Sequence, residues 1–130
     1  MFTILGIDWG RNRFGLAFGD EATKLIIAAN YPCTADQIWQ ILDKEIKSRK
    51  IKKIVVGMPT NFAGQKTEVS FLVENFTHKL KAKYPEIKLV TINERTSTKF
   101  FAKQNIDKQQ INHLAAAKIL EFYFGIESSF

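Results

Sequence analysis

The chain has 130 residues, enough for one domain with a sizeable core, and a composition that is 45% hydrophobic and 25% charged, as in ordinary globular proteins. No apolar run nears the roughly 18 residues a membrane span needs, residues 2–7 are too short for a secretory leader and are cut off by Asp8, and the single Cys33 excludes an internal disulfide; a cytoplasmic protein with no membrane partner is expected. Nineteen lysines and arginines against thirteen acids leave a net charge of +6, and such a surface draws polyanions by Coulomb steering and counterion release.

Repeats, low-complexity tracts and linkers are absent, so residues 1–130 read as one domain. Thr3 to Asp8 (TILGID) predicts a buried strand that ends in a carboxylate. Gly10 to Arg13 is a turn, and the alternation in Phe14 to Gly19 predicts an antiparallel second strand, with a third over Leu25 to Ala29. Thr34, with Gln37 three residues on, has the pattern of a capped helix start. Ile38, Ile41, Leu42 and Ile46 then keep helical spacing. Cations gather at that helix's end, where its dipole favours them: Lys44, Lys47, Arg49 and Lys50.

Ile54 to Met58 predicts a β-branched strand stopped by Pro59, followed by a polar loop over Thr60 to Lys66. Val69, Leu72, Val73, Phe76 and Leu80 form the apolar face of a second helix, broken at Tyr84-Pro85. Lys88 to Ile92 is a fifth strand, Arg95 to Gln104 a loop or short helix, and Asp107 a candidate cap for a last helix. The order βββαβαβα implies right-handed crossovers, hence an α/β fold with a mixed five-stranded sheet and helices packed on it. Ligands of such sheets sit beyond the carboxyl ends of the parallel strands.

Two carboxylates fall at that edge. Asp8 closes the first strand before Trp9-Gly10, and Glu94 follows the fifth. A pair of carboxylates can share magnesium ions that activate water for in-line attack at phosphorus. Asp8 can equally cap its turn through local amides, and Glu94 can simply pair with Arg95. Arg11 and Arg13 in the first turn are placed to hold phosphates, or are surface charge. Trp39 reads as packing rather than as a base-stacking platform, His78 as solvent-facing, and His113 as structural rather than as a ligand.

Four segments in register resemble the YqgF/RuvX family. Gly6-Ile7-Asp8-Trp9-Gly10 with Arg13, Gly15, Ala17 and Asp20 is similar to its opening motif. Val55-Val56-Gly57-Met58-Pro59 with Gly64 is similar to its second segment, Asn93-Glu94-Arg95-Thr96-Ser97-Thr98 to its "DERxTT" segment, and Ile111 to Leu120 to its closing helix. The resemblance implies an RNase H-like fold and a Mg2+- or Mn2+-dependent nuclease. Its substrate would be nucleic acid, RNA ahead of DNA, with the 5′ end of the small-subunit ribosomal RNA precursor foremost and Holliday junctions as an alternative. It maps the metal-binding acids onto Asp8 and Glu94, the third catalytic position onto Asn112, and phosphate contacts onto Arg11, Arg13 and Arg95; the chain would work as a monomer or homodimer.

The departures from the family pattern matter. Asn112 stands where the family has its third acid, Asn93 where it has the aspartate of "DER", and Ala63 where it usually has an aspartate before glycine. An amide offers magnesium a carbonyl oxygen but no charge. Asp107, about one and a half turns earlier, would have to bend in to compensate. His113 points about 100° away round the helix, and magnesium prefers oxygen. A binding protein with weak or lost catalysis is therefore the competing expectation. The opening hairpin also resembles one lobe of actin-like sugar kinases, which need two lobes.

Overall fold

Strand β1 (Ile4–Asp8) is apolar up to its closing Asp8 because both of its faces are covered, and it lies at the centre of the sheet. The turn after it returns the chain as β2 (Gly15–Gly19), antiparallel to β1, with Asp8 opposite Gly15. Strand β3 (Ile26–Ala28) adds to the outside of β2. Helix α1 (Ile38–Arg49) carries the chain across to β4 (Lys53–Pro59), parallel to β1, and helix α2 (Glu68–Lys83) carries it to β5 (Lys88–Glu94), parallel to β4. Helix α3 (Lys108–Ser128), the third among the described residues, packs on a sheet of order β3-β2-β1-β4-β5; a mixed five-stranded sheet with helices on it is what the sequence predicts. This computed structural model describes residues 1–59, 67–94 and 107–128.

Period-two alternation divides the sheet into two apolar faces. Leu5, Ile7, Leu16, Phe18, Ile54 and Val56 meet Ile38, Leu42 and Ile46 of α1 and Val73, Phe76 and Leu80 of α2. Ile4, Ala17, Val55 and Ile92 meet Ala116, Ile119, Leu120, Tyr123 and Phe124 of α3 alone. Each such aliphatic side chain contributes about 1.5–3 kcal/mol when fully buried.

On the α3 face the hairpin strands are nearly bare of side chains. A Cβ on Gly6 would lie 2.7 Å from Leu120 Cγ, one on Gly57 2.5 Å from Ile119 Cδ1, and one on Gly15 1.8 Å from the carbonyl oxygen of Asn112. These glycines let α3 rest on the sheet backbone. Gly57 makes room for Ile119.

One helix start differs from expectation. Helix α1 begins at Ile38, with Gln37 as its N-cap and no side-chain capping bond. Thr34 is instead bridged to Arg13, and the Gln37 amide donates to the Thr34 carbonyl in a turn before the helix. The reciprocal capping box lies on α2, where the Thr67 hydroxyl accepts from the Ser70 amide and the Ser70 hydroxyl accepts from the Thr67 amide. Tyr84 caps the end of α2 where the Tyr-Pro break was expected. The predicted loop over Arg95 to Gln104, Ala63 and Gly64 lie outside the described residues.

Candidate active site

Strands β1, β4 and β5 end at one edge of the sheet, and Asp8 and Glu94 are the last residues of β1 and β5. Counting along the paired strands from Ile4 and Gly6, Asp8 falls on the α3 face. Glu94, two residues beyond Ile92, occupies a position of the same face. Ile7, Val56 and Thr91 are aligned across the strands, so Glu94 lies two strands over and two residues further out than Asp8. At about 4.8 Å per strand and 3.3 Å per residue, their backbones stand roughly 12 Å apart.

Asn112 comes to the same place from the other layer. Its carbonyl oxygen sits over Gly15, the cross-strand partner of Asp8. Partners in an antiparallel pair lie about 4.5–5.5 Å apart at Cα, so position 112 is held next to the end of β1. Asp8 and Asn112 are both half-buried. The backbone thus brings all three predicted positions to one edge. Aspartate, glutamate and asparagine are residue types whose oxygens a hard cation takes. Among the described residues no group of three His, Cys, Asp or Glu side chains is placed to hold a metal ion.

Helix N-termini of the described residues gather at this edge. Helices α1 and α2 each connect parallel strands and so start there. Helix α3 starts over Gly15 and runs back toward Gly19 and Phe124, at the opposite end of the hairpin. Each N-terminus presents roughly half a positive charge, which suits a phosphate. Arg11 and Arg13 are exposed in the turn beyond Asp8. Arg11 pairs with Glu68 at 3.5 Å, a surface contact weak enough to yield to a phosphate. Arg95 lies outside the described residues.

Asp107 lies at the surface, and the ring of His113 is taken up by bonds within the fold. Asp107 is exposed, and its carbonyl accepts from the Ile111 amide at 2.9 Å in the first turn of α3. His113 is fully buried, and both its ring nitrogens are occupied. Nδ1 accepts from the Leu16 amide at 3.0 Å, and Nε2 donates to the Tyr31 carbonyl at 2.7 Å. One turn earlier Gln109 donates to the Phe14 carbonyl at 3.0 Å and accepts from the Cys33 amide at 3.2 Å. These bonds tie the first turns of α3 to β2 and to the segment after β3. Cys33 is buried beneath them, its thiol pushed up to about 11 by burial and so held in the unreactive form.

The His113 bonds require a neutral ring, because a proton on Nδ1 would face the Leu16 N–H. Burial accordingly holds its pKa below the ordinary histidine value. Above about pH 6.5 both folded and unfolded chains keep it neutral, and its contribution to stability is complete. As pH falls below that, the unfolded chain takes up the proton first and stability drops until the folded form protonates too. The urea midpoint should therefore fall between about pH 7.5 and about pH 5.5. His113→Gln, which cannot titrate, should lose that part of the dependence; an unchanged slope would show that another group carries it.

The sequence matches the RuvX family, described as Holliday junction resolvase, over residues 2–125. A relative from Sulfurihydrogenibium sp. (strain YO3AOP1), named as a candidate pre-16S rRNA nuclease, is 28% identical over 130 residues, which cover 95% of this chain and 90% of the relative. One from Mycoplasmopsis synoviae (strain 53), named in the same way, is 30% identical over 133 residues, covering 94% and 96%. The crystal structure of the fowlpox virus Holliday junction resolvase aligns over 94% of this chain and 97% of that one, with a TM-score of 0.49 and 13% sequence identity. Matched along nearly its whole length, the chain belongs to the RuvX family.

Proposed function

We propose that this protein is a divalent-metal-dependent endonuclease that hydrolyses phosphodiester bonds in structured nucleic acid, its main substrate being the 5′ end of the small-subunit ribosomal RNA precursor. The observation that carries the reading is the seating of Asn112 over Gly15, beside the end of β1. It joins the third position to the edge that bears Asp8 and Glu94. The relatives' names point to the same substrate.

In this reading Asp8 and Glu94 hold Mg2+ or Mn2+, and the amide of Asn112 completes the donor set. The bound ion supplies charge stabilisation and a water activated for in-line attack. The chain's own part is to position the phosphate. The three helix N-termini favour its charge, and Arg11, Arg13 and Arg95 contact flanking phosphates. The test is cleavage of precursor ribosomal RNA and of four-way junctions, with and without chelator. Metal-dependent scission of the precursor is expected, and absence of scission on both substrates would overturn the reading. Paired symmetric cuts of the junction would favour resolution instead, which needs two active sites and hence a homodimer.

One observation favours a second reading. The donor set holds two carboxylates, not three, so attraction for a doubly charged ion is weaker. A nucleic-acid-binding protein with weak catalysis would bind in a salt-dependent but chelator-independent way. Asn112→Asp separates the two: it should raise cleavage at low metal concentration by roughly ten-fold or more if position 112 faces the ion. No gain would remove position 112 from the donor set.

A further inference from the structure

The face of the sheet opposite α3 opens, between α1 and α2, into a groove of about 280 Å3. Its walls are aromatic: Trp9, Phe14, Trp39 and Phe76, with Asn75 and Lys79 among the remaining lining residues. The rings form one continuous chain. Trp9 meets Phe14 edge-on at 6.1 Å, Phe14 lies 5.1 Å from Phe76, and Phe76 lies 5.1 Å from Trp39. Trp9 and Trp39 are only half-buried, although both are packed against the core. The Lys83 ammonium stands 5.1 Å from the Trp39 ring, and Asn75 and Lys79 are exposed on α2. Among the described residues no carboxylate lines the groove.

Its position is as telling as its lining. Trp9 directly follows Asp8, and strand alternation turns it to the other side of the sheet. The groove therefore begins where the candidate active site ends. We propose that it receives one unstacked base of the nucleic-acid substrate, a base flanking the phosphodiester held at Asp8; the proposal rests on the nuclease reading above. Aromatic faces stack on any base, and nearby ammonium groups attract its phosphates. Asn75 offers an amide to the base edge. Trp39, which its helical position marked as simple packing, becomes the deep wall of this site.

The chain has two tryptophans, and both line the groove, so its tryptophan emission reports on that place. The experiment titrates a short single-stranded RNA into the full chain carrying Asp8→Asn, which is meant to block cleavage. Binding is followed by anisotropy and stacking by tryptophan emission. Quenching should follow binding with the same midpoint. Trp39→Ala should weaken binding by roughly ten-fold. Asn75→Phe, which fills the groove from an exposed helical position and leaves the core intact, should do the same. An RNA lacking one base should lose a similar factor against the parent and nothing further against Asn75→Phe.

Binding without any change in emission, and undiminished in Asn75→Phe, would overturn the groove and leave the nuclease reading standing. Emission that follows protein concentration and ignores RNA would make the groove a contact between copies of the chain, and overturn the proposal. Failure to bind RNA, together with failure to cleave, would overturn both.

Discussion

Asp8→Asn should lower metal-dependent cleavage by at least about 100-fold, more than the loss of an outer-shell partner of a metal site typically produces, while the chain keeps its fold. The substitution keeps the size of the side chain and removes its charge. With Asn112 already an amide, it would leave Glu94 as the one carboxylate of the proposed set, facing a doubly charged ion. The measurement is single-turnover cleavage of precursor RNA at saturating metal, with far-ultraviolet circular dichroism as the check on folding. A variant that keeps half its activity would place the chemistry elsewhere.

Gly15→Ala should produce a large loss of stability for so small a substitution. The new methyl carbon would stand 1.8 Å from the Asn112 carbonyl oxygen and 3.0 Å from the His113 amide nitrogen, both backbone atoms that no rotamer change can move aside. Helix α3 would have to lift off the sheet at its first turns. That lift strains the Leu16–His113 and Phe14–Gln109 bonds and opens the layer over Ala17. A cost of about 3 kcal/mol or more is expected, near the upper end for overpacking. For a domain of this size it lowers the melting midpoint by roughly 10 °C. Cleavage should fall further than folding does, because position 112 moves away from Asp8. A melting midpoint within a degree or two of the parent, by calorimetry, would mean that α3 is not seated as described.

The strands and the helices of the described residues were legible because their signals are local. The apolar run in Ile4–Asp8, the alternation in Gly15–Gly19 and the helical spacing in Val69–Leu80 need no distant partner. The misread start of α1 shows the limit. Thr34 and Gln37 have the right types and spacing for a cap, but Thr34 is occupied by its bridge to Arg13, a pairing set by the hairpin. The cap on α2 escaped notice because serine, rather than glutamate or glutamine, closes the box at Ser70. At the site, Asp8 and Glu94 could be read from strand ends. That Asn112 stands beside Asp8 depends on Gly15, nearly a hundred residues away in the chain. A signal for it was present: Gly15, Ala17 and Gly19 alternate as small residues, which marks a smooth strip for a helix to lie on. The aromatic groove had no such signal, since its four rings come from three separate segments.

The bond from the Leu16 amide to His113 spans 97 residues. During synthesis the hairpin that carries Asp8 emerges early, yet one face of it stays uncovered until α3 follows at the far end of the chain. Contacts of such long separation form late and slowly. A nascent chain therefore exposes Ile4, Ala17 and Val55 for most of its elongation, and it acquires the edge that would cut nucleic acid in the same late step that buries them. A copy that stops short of α3 would lack the cover of this face and position 112 together.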